Sequence, residues 1–185
     1  KLSRTIASTT FSHLNSLSVC FPLDLALLPK SIERLSLRCD FSEFITEFNA
    51  MLPQIGTLPH LKALKILLFG GDQVVVPSSL FEDLCSLEAF AFCAQNADIS
   101  GAFRPLPRLK KLSLESHARA FLPLIDQEKN IIEEVELSFP SRTTPSDLEY
   151  LMSLKKVQRF VLELNNLEVP SFLVELPSIT SLELR

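Results

Sequence analysis

A six-residue phrase, apolar at its first, fourth and sixth places, recurs through this chain and restricts what it can fold into. Leu61-Lys62-Ala63-Leu64-Lys65-Ile66 carries it, and it returns as Leu109-Lys110-Lys111-Leu112-Ser113-Leu114 and as Ile179-Thr180-Ser181-Leu182-Glu183-Leu184. Eight copies align, beginning at Leu14, Ile32, Leu61, Leu87, Leu109, Ile132, Val157 and Ile179. All 24 anchor places are apolar in a chain that is 46% hydrophobic. Chance alone would give this roughly once in a hundred million registers. Six copies also have a large apolar residue three places upstream, at Phe11, Leu58, Leu84, Leu106, Leu154 and Leu176, while Pro29 and Lys129 depart.

The second half of the phrase alternates with period two, the spacing of a half-buried strand whose fourth and sixth residues face one way and whose third, fifth and seventh face the other. Copies start 18, 29, 26, 22, 23, 25 and 22 residues apart. Such lengths suit the crossover that a parallel strand pair requires, so the strands are expected to stack into one parallel sheet. Asp40-Phe41-Ser42-Glu43 offers a capping box for a helix whose spacing runs through Phe41, Phe44, Ile45, Phe48 and Leu52 as far as Pro53. Thr144-Pro145 opens a second helix through Leu148, Leu151 and Met152. Shorter helical turns are expected at Ser79 to Leu84, Phe121 to Gln127 and Ser171 to Val174, with loops at Gly70 to Asp72 and at Asp98 to Gly101.

The phrase LxxLxL, repeated eight times from residue 11 to 185, resembles that of leucine-rich repeat proteins, whose repeats run to about 20 to 29 residues. The uneven repeat lengths are closer to those of plant intracellular immune receptors and F-box proteins. The asparagine usual at the ninth place occurs only as Asn165. What the resemblance implies is an α/β right-handed solenoid, with a curved parallel sheet on its concave side and short helices and loops on its convex side. Residues 1–185 would form one such domain. The last phrase stops at Arg185 without a polar cap over its core layer, which reads as an excerpt of a longer chain.

Chemistry is sparse. Four glycines make a phosphate loop improbable, and no Walker, Rossmann, HExxH or GxSxG phrase occurs. Glu115-Ser116-His117 has triad residue types, but neighbours in sequence do not converge as nucleophilic catalysis requires. His13 and His60 hold the same place two copies apart, about 10 Å by strand spacing, too far to share a metal. Cys20, Cys39, Cys85 and Cys93 offer no CxxC and no well-placed disulfide pair, and there is no Asn-x-Ser/Thr site. Reduced thiols and a cytoplasmic protein are expected. A net charge of −4 and the lack of an apolar run of 18 residues argue against nucleic-acid and membrane partners.

The outward residues are where the copies differ. Arg34, Arg38, Lys65 and Leu67 come first, then Ala89, Ala91 and Cys93, then Lys111, Glu134, Glu136, Arg159 and Glu163. Charge thus runs from basic, across a small apolar saddle, to mainly acidic. Lys111, Glu134 and Arg159 also fall in one row, which predicts a ladder of exposed ion pairs. These twelve residues are the candidate contacts of a monomeric, non-catalytic domain that needs no cofactor and binds a protein or peptide. A structural spacer beside an enzyme, or an extracellular receptor, are the alternatives.

Overall fold

The computed structural model describes residues 14–20, 25, 28–40, 44–70, 73–94, 96–100, 103–115, 118–125, 131–139, 157–164 and 179–184. In chain order the elements are β1 (Ser16–Cys20), β2 (Arg34–Cys39), α1 (Ile45–Ile55), β3 (Ala63–Leu68), β4 (Val74–Pro77), β5 (Ala89–Ala94), β6 (Ala97–Ser100), β7 (Lys111–Glu115), α2 (Ala118–Phe121), β8 (Glu134–Phe139), β9 (Arg159–Leu164) and β10 (Ser181–Leu184). Each copy of the phrase supplies one strand of an eight-stranded sheet ordered β1-β2-β3-β5-β7-β8-β9-β10, and every pairing in it is parallel. The fold is α/β, dominated by this sheet.

Pairing keeps the copies in register. Leu17, Leu35, Leu64, Phe90, Leu112, Val135, Phe160 and Leu182 form one continuous row across the sheet. A one-residue slip would turn every anchor outward, so burial of this row fixes the register. The backbone adds a device of its own. At all seven junctions the carbonyl of a copy's second residue accepts two N–H groups, from the second and third residues of the next copy. Glu33 thus receives Lys62 at 2.7 Å and Ala63 at 2.9 Å, and Lys62 receives Glu88 and Ala89 at the same distances.

The upstream apolar position also has a backbone reason. The N–H of the first anchor donates to the carbonyl three residues earlier, Leu61 to Leu58, Leu87 to Leu84 and Leu109 to Leu106, closing a turn at the strand's entrance. Ile32 donates to Pro29 at 3.2 Å in the same way. The turn needs a carbonyl there and no N–H, so proline fits, and Pro29 departs from the pattern without breaking the turn.

The core lies between the sheet and the crossovers. Ile32, Leu61, Leu87, Leu109, Ile132 and Val157 are buried first anchors, and Leu58, Leu84 and Leu106 are buried beside them. Where most copies have aliphatic anchors, β5 has Phe90 and Phe92, and Phe121 of α2 packs on both at ring-centroid distances of 5.2 and 4.8 Å. Phe81 and Phe103 complete the aromatic cluster, the latter stacked on Phe121 at 5.7 Å.

Several local expectations are corrected. The capping box does not close α1: its N-cap is Phe44, with no side-chain cap bond. Asp40 instead binds Arg38 Nε at 2.8 Å. The helix also continues past Pro53 to Ile55, because Ile55 is buried with Phe48, Met51 and Leu52 on one face. Residues 98–100, expected as part of a loop, instead belong to β6, which pairs in parallel with β4 as a separate two-stranded sheet. Asn49 of α1 braces it, accepting the Val75 N–H at 3.0 Å. The turn expected from Ser79 forms as a 3-10 turn at Ser78–Phe81, and that expected from Phe121 begins earlier, with α2 followed by a 3-10 turn at Leu122–Leu124. The expected helices at 144–152 and 171–174 lie outside the described residues. Leu182, an anchor, is 43% exposed, on a strand that is paired on one side only among the described residues.

Candidate functional site

With the fourth and sixth residues of each phrase committed to the core, the third, fifth and seventh make up the opposite face of the sheet. Strand pairing sets them in rows. The third-place row reads Ser16, Arg34, Ala63, Ala89, Lys111, Glu134, Arg159 and Ser181. The fifth-place row reads Ser18, Ser36, Lys65, Ala91, Ser113, Glu136, Val161 and Glu183.

Along these two rows the face opens into a depression of about 340 Å³ that crosses six consecutive strands, β1 to β8. Seven candidates meet in it: Arg34, Lys65, Ala89, Ala91, Lys111, Glu134 and Glu136. Ala63 joins Ala89 and Ala91 as a floor without side-chain bulk, with Arg34 and Lys65 towards one end and Glu134 and Glu136 towards the other. Ser16, Ser18, Ser36 and Ser113 also line it. They occupy the same third and fifth places as the candidates, so the repeat register alone identifies them. Their hydroxyls can donate and accept without adding charge.

The two charged ends differ in how far their charges are already matched. Glu134 receives Lys111 Nζ at 2.8 Å and Arg159 at 3.1 Å, and Arg159 also reaches Glu183 at 3.7 Å. The expected ladder is therefore present. Glu136 accepts the Ser113 hydroxyl at 3.0 Å. At the other end neither Arg34 nor Lys65 forms an ion pair among the described residues. The nearest carboxylate in sequence, Glu33, is held by Lys62 at 2.8 Å, and that bond lowers its pKa from the usual carboxylate value.

The remaining candidates stand apart from the depression. Arg38 and Leu67 belong to the seventh-place row. Arg38 is bound to Asp40, which raises its pKa further, and its guanidinium lies 4.9 Å from the ring centre of Phe69, itself 46% exposed. Arg159 lies beyond Glu134. Glu163 pairs with Ser138 through β9, and its side chain lies outside the described residues.

Cys93 requires a correction. It was expected to face a partner, yet it is only 7% exposed, enclosed in its row between Leu67 and Glu115. Burial, with Glu115 as hydrogen-bond partner, pushes its thiol pKa up to about 12. Val161, another outward place, is 2% exposed between Glu136 and Glu183. Alternation decides which side of the sheet a residue is on; the size of its neighbours decides whether solvent reaches it.

No protein-family model matches the chain, and no curated protein matches it. Among the described residues no three His, Cys, Asp or Glu side chains come together as a metal site, and no helix is long and apolar enough to cross a membrane. His60 is exposed on the approach to β3, while His13 and the Ser116-His117 pair lie outside the described residues. Cys20, Cys39, Cys85 and Cys93 form no disulfide.

Proposed function

We propose that this chain is a leucine-rich repeat solenoid that recognises a protein or peptide, without catalysis, on the concave face of its sheet. The observation that carries the reading is the depression across six strands, lined at the places where the copies differ. The recurring leucines are consumed by the core, so variation is concentrated on a surface whose backbone is held rigid by seven equivalent junctions. A rigid, preformed surface lowers the ordering cost of binding. Four cysteines outside any disulfide, two of them exposed, suit a reducing compartment, and we place the domain within a larger cytoplasmic protein as its sensing or substrate-recruiting region.

Selection of displayed random peptides on the purified domain tests this. Sequences should enrich, and Ala91→Trp, which fills the floor without touching the core, should weaken their binding by about tenfold or more. A domain that serves only as a spacer enriches nothing, and enriched peptides indifferent to Ala91→Trp would move recognition away from this face.

A further inference from the structure

Resting on that reading, we infer that the partner presents an acidic extended segment to the β2–β3 end of the depression, with two carboxylates seated at Arg34 and Lys65 and an adjoining small apolar side chain over Ala63, Ala89 and Ala91. Charge balance carries the inference. At the acidic end, Glu134 is already neutralised by Lys111 and Arg159. Arg34 and Lys65 are exposed, line the depression and have no ion-pair partner among the described residues. Counted over its lining side chains, Arg34, Lys65 and Lys111 against Glu134 and Glu136 leave one net positive charge, and the two cations without an ion pair among the described residues stand at the β2–β3 end, although the chain as a whole carries −4.

Geometry narrows the partner further. Arg34 pairs across the sheet with Ala63, and Lys65 with Ser36, so the two cations lie on a diagonal between neighbouring strands. One strand spacing and two residues of rise put their Cα atoms about 8 Å apart. Carboxylates on residues i and i+2 of an extended peptide are separated by about 7 Å, a close match. Six strands span about 24 Å, the length of about seven extended residues. Beside the cations the floor is alanine, which offers apolar contact but little depth, so it suits Ala or Val better than an aromatic ring.

The test measures binding of three fluorescein-labelled nonapeptide pools to the whole 185-residue chain. Each pool has Glu-x-Glu, Gln-x-Gln or Lys-x-Lys at its centre, followed by Ala or Val, with mixed residues elsewhere. The Glu pool should bind about tenfold more tightly than either other pool and weaken as salt rises from about 50 to about 500 mM. Arg34→Gln with Lys65→Gln should remove that preference, and Arg34→Lys should keep it. Both residues are exposed, so an unchanged melting temperature will show that the variants remain folded. Equal binding of all pools, still blocked by Ala91→Trp, overturns the acidic partner while leaving recognition on this face intact. Binding of no pool, together with indifference of selected peptides to Ala91→Trp, overturns both. A 12-mer oligo-dT that binds as tightly as the Glu pool overturns the peptide assignment in favour of nucleic acid.

Discussion

At Cys93 the place in the phrase and the surroundings pull in opposite directions. Its position puts the thiol on the open face, but Leu67 and Glu115 close over it, and its pKa stands near 12 against the ordinary 9.0. The folded protein thus holds this proton more tightly than the unfolded chain does. The stabilisation is complete below pH 9 and is lost as pH rises from about 9 to about 12. Cys93→Ala should therefore lose less stability than the natural protein between pH 8 and pH 11, as urea unfolding at a series of pH values will show. Thiol labelling gives an independent check: Cys20 and Cys85, both exposed, should react rapidly, and the buried Cys39 and Cys93 only on unfolding. Rapid labelling of Cys93 would contradict its burial. The Glu134 ladder is different in kind, because Lys111 and Arg159 are exposed; Glu134→Gln should cost no more than about 1 kcal/mol in chemical denaturation.

Elements form here because a fixed spacing meets a fixed geometry, and that decides how much can be read from the chain alone. The eight strands and their parallel order follow from anchors that recur at the same three places, a constraint repeated often enough to override local irregularity. Leu64→Ala, removing one buried anchor from the middle of the row, should cost about 2 to 5 kcal/mol, and Phe121→Ala, which empties the centre of the aromatic cluster, about 3 to 5. The β4–β6 pair was not legible, because these two segments lie outside the phrase and find each other only through the crossovers that carry them. The start of α1 was misread for a related reason: Asp40 can cap a helix or bind a cation, and Arg38, two residues away, takes it. At the other end, Gly56 has φ of −54°, a conformation open to any residue, and a Cβ there would meet carbonyl oxygens at no less than 3.5 Å. Gly56→Ala should accordingly raise stability by about 0.4 to 1 kcal/mol by restricting the unfolded chain. In the site, the rows were legible because alternation is exact in a strand, whereas the burial of Cys93 and Val161 depends on neighbours that alternation does not specify.

Across the whole sheet each strand is bonded only to the strands of the preceding and following copies, so stability is shared along a line. The centre of that line is the better supplied. Leu64, Ile66, Phe90, Phe92, Leu112 and Leu114 are all buried, and the aromatic cluster ties the crossovers on both sides of β5 to the sheet. Leu17 and Val19 in β1 are only partly buried, and Leu182 in β10 is exposed. Amide hydrogen exchange should therefore find the strongest protection in β3, β5 and β7, with β1 and β10 opening at lower free energy. Phe121→Ala should lower protection in β5 and β7 before it affects β1; uniform loss across all strands would instead mean one cooperative unit. The gradient bears on recognition. Arg34 and Lys65 sit on β2 and β3, one and two strands in from the weaker edge, while the alanine floor lies on β3 and β5. A partner seated on both would bridge the well-supported centre and the looser flank, and its binding should slow exchange in β2 more than in β5.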